Sequence, residues 1–183
     1  MKWLIASDIH GSAYFCRRLM ECCEKEGAER ILLLGDLLYH GPRNSIPGGY
    51  TPADLSEAIN DFYFDGGRVL ISTGNCDAPV DMMVLKPEFH PIVSATWHGR
   101  KILMMHGDNF PLLREMALYN KVDLAISGHT HVGSLVREEG TIFLNPGSTT
   151  IPKGRDPESA AFATDEGIWI MTLGGEELHF EKW

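Results

Sequence analysis

The sequence predicts an α/β protein made of two packed β-sheets flanked by helices, and three observations carry that expectation. Short, uninterrupted aliphatic runs at 3–7, 30–34 and 68–73 have the length and character of strands buried on both faces. They alternate with helix-period stretches at 12–26 and 52–64, an order that favours a parallel sheet with right-handed crossovers. From residue 92 onward, apolar segments joined by glycine-containing turns read as hairpins and imply a mostly antiparallel second half. Two sheets reconcile the halves.

Each element has a local justification. Ser12 is placed to cap a helix running to about Glu26, with Phe15, Leu19, Met20 and Cys23 on one apolar face and Gly27 just past its end. The stretch 37–51 contains Gly41, Pro42, Pro47, Gly48 and Gly49, so it is a long loop. Pro52-Ala53-Asp54 opens a second helix, which ends near Phe64 before Gly66-Gly67. Arg68 to Thr73 is a third strand, and 79–90 shows no decisive period. Ile92 to Trp97 and Lys101 to Met105 pair across a His98-Gly99 turn, Leu112 to Asn120 is helical, and Val122 to Ser127 is a strand. Five further strands fall near 134–138, 141–145, 160–164, 167–172 and 177–182.

Composition narrows the classes. At 183 residues, 44% hydrophobic and 22% charged, the chain suits a single domain over 1–183 with a sizeable core. No apolar run reaches the ~18 residues of a membrane span, and no signal pattern opens the chain, so a soluble cytoplasmic protein without membrane attachment is expected. The net charge of -9 opposes a general nucleic-acid surface. Cys16, Cys22, Cys23 and Cys76 form no Cys-x-x-Cys pair and read as reduced thiols.

Five strand ends carry chemistry. Asp8 and His10, Asp36, Asn75, His106, and His129 with His131 each follow directly on an apolar run. In open α/β sheets the site lies beyond the carboxyl ends of the strands, so these residues should converge. Carboxylate, imidazole and amide oxygen suit Mn, Fe, Zn or Co, and seven such groups are too many for one ion. They suffice for two ions about 3.5 to 4 Å apart sharing one carboxylate, the arrangement of two-metal phosphoryl chemistry. Two divalent cations against two carboxylates leave a local positive excess that attracts a phosphate despite the acidic chain. A hydroxide between the ions would attack phosphorus in line with the leaving group.

In this order and at these intervals, Asp8-Ile-His10, Gly35-Asp36, Gly74-Asn75, His106-Gly107 and Gly128-His129-Thr130-His131 resemble the calcineurin-like metallophosphoesterase superfamily. Ser7-Asp-Ile-His-Gly-Ser12, Gly35-Asp-Leu-Leu-Tyr-His-Gly-Pro-Arg-Asn44, Gly74-Asn-Cys-Asp77 and Asn145-Pro-Gly-Ser148 are similar to its small bacterial phosphodiesterase branch. The resemblance implies a four-layer α/β/β/α sandwich and two divalent ions, foremost Mn, with Fe, Zn, Ni, Co or Mg as alternatives. One ion would take Asp8, His10, Asp36 and His131, and the other Asp36, Asn75, His106 and His129. It also implies a small phosphodiester substrate and a homo-oligomer, dimer or tetramer. A broad phosphomonoesterase and a non-catalytic scaffold similar to the retromer subunit are the competing readings.

Two positions depart from the family pattern. Where many members have His after Gly-Asn, this chain has Cys76 followed by Asp77, and a thiol is a poor replacement for an imidazole acid. Diesters or substrates with good leaving groups are therefore expected over ordinary monoesters. Asp108 stands where His-Gly-His is common, and it is left outside the site. In the long loop, Arg43 could clamp a phosphate oxygen and His40 could donate the missing proton, or both could belong to a solvated loop. Asn145 to Ser148 reads as a turn, His90, His98 and His179 as surface or strand residues, and Glu176, Glu177 and Glu181 as a solvated face.

Overall fold

The opening run forms β1 (Trp3–Ala6), buried along its whole length because both of its faces are covered. Side chains alternate across a strand, so β1 feeds two cores: Leu4 and Ala6 point toward the helices, whereas Trp3 and Ile5 point toward the second sheet. The next strand, β2 (Arg30–Leu33), does the same with Ile31 and Leu33 on one side and Leu32 on the other. Between them lies α1 (Ala13–Lys25), whose first turn is capped by the Ser12 hydroxyl accepting from the Phe15 amide at 3.3 Å. Its Cys16, Leu19 and Cys23 are fully buried under the sheet, and Gly27, at φ 63°, leads the chain out.

These features belong to a computed structural model that describes residues 2–64 and 69–183. The predicted Gly66-Gly67 helix end and the Arg68 start of the third strand lie outside the described residues. The remaining elements are α2 (Pro52–Phe64), β3 (Val69–Ser72), α3 (Asp81–Val84), β4 (Phe89–His90), β5 (Val93–Trp97), β6 (Arg100–Met104) and α4 (Phe110–Asn120). They are followed by β7 (Leu124–Ile126), β8 (Gly133–Glu138), β9 (Thr141–Pro146), β10 (Ser159–Ala163), β11 (Gly167–Thr172) and β12 (Glu177–Lys182). The stretch without a decisive period, 79–90, thus contains a single helical turn and a two-residue edge strand.

One sheet has the order β12-β11-β10-β1-β2-β3-β4 and the other β5-β6-β7-β9-β8. A core between them includes Ile5, Trp97, Leu124, Ile126 and Ile168; α1 and α2 cover the first sheet, and Leu113 and Ala117 of α4 cover the second. The layers are therefore α/β/β/α. The second half is mostly antiparallel, as expected, with an exception at the centre of the second sheet, where β6, β7 and β9 run parallel to one another. The reason is α4, which carries the chain back along the sheet so that β7 starts where β6 started. Glu181 is not merely solvated. Arg137 on β8 donates to Glu181 at 2.8 Å and to the Lys182 carbonyl, tying an edge of one sheet to an edge of the other.

Candidate metal centre

The carboxyl ends of β1, β2, β3, β6 and β7 bring their loops together. The first two loops are stitched by His10 N–H to the Asp36 carbonyl (2.9 Å) and Gly11 N–H to the Leu37 carbonyl (2.6 Å). Asp8, His10, Asp36, His129 and His131 all have positive φ, between 49° and 67°. Such a conformation costs an L-residue roughly 1–2 kcal/mol, and Asp and His are among the types that tolerate it best. It turns each side chain inward from a strand end. The loops also approach unusually closely: a Cβ on Gly74 would stand 2.3 Å from the Asp36 amide, and one on Gly128 would stand 1.8 Å from Ser7 Oγ.

The resulting donor atoms fall into two groups. In the first, Asp8 Oδ1 lies 3.6 Å from His10 Nε2 and 3.3 Å from His131 Nε2, and the two imidazole nitrogens are 3.3 Å apart. His10 Nδ1 donates to the Tyr39 carbonyl and His131 Nδ1 to the Ile151 carbonyl, so in the neutral tautomers both Nε2 lone pairs face inward. Asp8 Oδ2 accepts from Ser7 Oγ and the His129 amide, but Oδ1, fully buried, has no hydrogen-bond partner. Three acceptors thus meet without a donor. In the second group, His106 Nδ1 donates to the Leu34 carbonyl and turns Nε2 toward Asn75 Oδ1 (3.0 Å), His129 Nδ1 (3.3 Å) and Asp36 Oδ2 (3.6 Å). Asp36 Oδ2 also lies 3.8 Å from His10 Nε2, between the groups. A divalent cation in each group would satisfy these acceptors, and the residues present therefore fit two ions.

The protonation tendencies of Asp8 and His10 express the same demand for positive charge. Burial opposes ionisation of Asp8, but the adjacent His10 and His131 imidazoles and the charge of His106 hold it well below the usual carboxylate range. Burial likewise disfavours a charged His10, yet Asp8, the Tyr39 carbonyl and Asp36 raise its pKa above the ordinary imidazole value. Burial and neighbouring His106 push His129 down. Burial, followed by Asp36, pushes the Cys76 thiol up to about 12.

Cys76 Sγ lies with His10 and Asp36 donor atoms inside a 4.8 Å group, and these residues line a cleft of about 920 Å³. Arg43 lines that cleft. The His40 ring stands edge-on to Tyr39 and Tyr50, with Nδ1 3.5 Å from the Tyr50 hydroxyl. Asp108 is exposed and influences His129 only through its charge.

Two supports escaped the sequence reading. Asp77, adjacent to Cys76, accepts from the amides of Asp36 (3.0 Å), Leu37 (2.9 Å) and Gly74 (2.7 Å), stapling the Asp36 loop to the Asn75 loop. Asn145, read as part of a turn, donates to the Gly128 carbonyl (2.7 Å) and to Thr130 Oγ1 (3.0 Å), and Ser148 donates to the Asp8 carbonyl (2.8 Å). The Asn-Pro-Gly-Ser string is therefore a brace as well as a turn. Its resemblance to a family motif was the one available signal.

The profile of the calcineurin-like phosphoesterase superfamily domain matches residues 1–167. The chain belongs to this superfamily. Among its members, phosphodiesterase YfcE of Escherichia coli K12 is 36% identical over 184 aligned residues, covering 97% of this chain and 95% of YfcE. The solved structure of the E. coli phosphoesterase YfcE superposes with a TM-score of 0.89 at 30% identity, covering 100% of this chain and 99% of that one. Zinc-complexed Vps29 of Entamoeba histolytica, at 20% identity and a TM-score of 0.66 over 100% of this chain and 98% of its own, shares the superfamily fold.

Proposed function

We propose that the chain is a metal-dependent phosphodiesterase, and the position of Asp36 Oδ2 between His10 Nε2 (3.8 Å) and His106 Nε2 (3.6 Å) carries the reading. One carboxylate oxygen facing two donor sets is what a shared ligand of two ions requires. Asp8, His10, Asp36 and His131 would hold one ion, and Asp36, Asn75, His106 and His129 the other. Mn is the first choice, and Fe, Zn, Ni, Co and Mg are the alternatives. Two such ions, when bound, supply an activated water and neutralise charge developing at phosphorus.

The chain's own residues would do the rest. The carbonyls of Tyr39, Leu34 and Ile151 fix the histidine tautomers through the Nδ1 hydrogens. Arg43, on the cleft wall, offers a planar fork to a phosphoryl oxygen. Cys76 places a thiol, a poor substitute for an imidazole general acid, where it would have to protonate the leaving group. Substrates whose leaving group departs unaided are favoured, in keeping with a diesterase. Among the described residues no helix is long and apolar enough to cross a membrane, and the cysteines are thiols, which suits a cytoplasmic setting.

The test is turnover by chelator-stripped protein before and after Mn addition, with bis(p-nitrophenyl) phosphate against p-nitrophenyl phosphate. Mn-dependent release from the diester, faster than from the monoester, is expected. Failure to turn over either compound with Mn bound would sink the proposal.

A further inference from the structure

The cleft carries two cations on different walls, Arg43 and Lys153, and among the described residues neither has an ion-pair partner. In a chain with 25 acidic and 16 basic residues, two unpaired cations facing one cleft are a directional feature. Their anchorage separates their roles. Arg43 belongs to the turn Gly41 to Asn44, closed by Asn44 Nδ2 to the His40 carbonyl at 2.8 Å. A Cβ on Gly41 would meet Cys76 Sγ at 3.1 Å, so this turn lies on the Cys76 side.

Lys153 starts from the other side. Its amide donates to the His131 carbonyl at 3.0 Å, while His131 Nδ1 donates to the Ile151 carbonyl at 2.7 Å, so segment 151–153 is fastened twice to a residue of the donor cluster. An exposed lysine on a free loop would have no defined position. This one has its backbone held beside His131 and its side chain on the cleft wall. Two ions and one guanidinium already answer the charge of a single phosphodiester group, which leaves Lys153 facing whatever lies beyond that group.

We propose that Lys153 determines specificity and that the substrate is a phosphodiester with a second anionic group, carboxylate or phosphate, on the arm passing His131. The inference rests on the phosphodiesterase reading. An ammonium meeting that group forms a charge-assisted hydrogen bond, in a cleft wide enough to admit the arm.

Three p-nitrophenyl phosphodiesters with the same leaving group test it: the butyl ester, the 3-carboxypropyl ester and the 3-phosphonooxypropyl ester. With Mn-loaded protein, kcat/KM for at least one anionic ester should exceed that for the butyl ester by about tenfold, a ratio typical of one charge-assisted contact. The ester preferred identifies the group. Lys153→Ala should remove most of that ratio, chiefly through KM, Lys153→Arg should keep it, and Lys153→Glu should invert it. A wild-type ratio near one, or an equal ratio in Lys153→Ala, overturns the proposal. Turnover of the butyl ester reports on the phosphodiesterase reading alone. Calorimetric titration of butyl phosphate, 4-(phosphonooxy)butanoate and propane-1,3-diol bisphosphate, the three products, into Mn-loaded protein repeats the comparison without turnover. A binding preference that survives Lys153→Ala, or one that is absent in the wild type, overturns the proposal even where no ester is hydrolysed.

Discussion

Asp8 Oδ1 and the Nε2 atoms of His10 and His131 meet as buried acceptors, so either protons or a metal must supply the missing positive charge. This competition sets a pH dependence. Because the His10 pKa is raised in the metal-free site, a proton occupies it at higher pH than an ordinary imidazole would allow, and it must leave for an ion to bind. Mn affinity should therefore weaken as pH falls through and below neutrality, with proton release on binding. Calorimetry at pH 7 in buffers of different ionisation enthalpy measures that release, which should be smaller in His10→Ala. Asp8→Asn and His10→Ala should also lose activity through occupancy, so that excess Mn partly restores it; undiminished activity at limiting Mn would contradict the assignment. Cys76 governs a different quantity. With an imidazole at that position a general acid becomes available, and Cys76→His should raise monoester relative to diester turnover by roughly tenfold or more. An unchanged ratio would remove leaving-group protonation from the account.

At the scale of elements, strand ends aim the proposed metal ligands and neighbouring loops hold the aim. Asn145 at the end of β9 reaches the Gly128 carbonyl and Thr130 Oγ1, bracing the turn between His129 and His131. Replacing it with alanine removes both contacts while leaving every ligand in place, and Mn affinity should fall by about 10–100-fold, the usual cost of losing an outer support. Equilibrium dialysis against Mn checks this. Gly74→Ala makes a sharper demand, because the added methyl carbon would sit 2.3 Å from both the Asp36 amide and Asp36 Oδ1. Separation of the β2 and β3 loops should follow, with loss of metal binding and lower thermal stability. Wild-type Mn affinity in that variant would show that the two loops have slack the geometry does not reveal.

At the scale of the molecule, the centre joins two sheets. Asp8, Asp36 and Asn75 follow strands of one sheet, and His106, His129 and His131 follow strands of the other. Ions bound only in the folded state should stabilise it by about 2.7 kcal/mol when free metal is a hundred times Kd. For a chain of this size that corresponds to roughly 5–10 °C in Tm. Calorimetric scans with chelator and with Mn should differ by this amount, whereas a Tm insensitive to both would argue against ions that span the sheets.

Much of this arrangement was legible because it is periodic or local. Aliphatic runs declare buried strands, and a polar residue directly after such a run declares a strand end; Asp8, Asp36, Asn75, His106, His129 and His131 could be read that way. The pairing of β7 with β9 could not, since a β8–β9 hairpin does not state which of its strands docks beside β7. Asp77 and Asn145 stayed hidden for a related reason. Their partners are backbone groups up to 41 and 17 residues away, and a side chain's identity does not encode which distant amide or carbonyl it will meet. By itself, then, the sequence determined the α/β pattern, the strand ends and the set of candidate metal-binding residue types, all properties of short stretches. Only the tertiary structure decided that Asp36 Oδ2 stands between the two donor groups, that His40 turns to Tyr50, and that Lys153 lines the cleft beside His131. Those outcomes depend on the relative placement of loops from two sheets, which packing and long-range hydrogen bonds set.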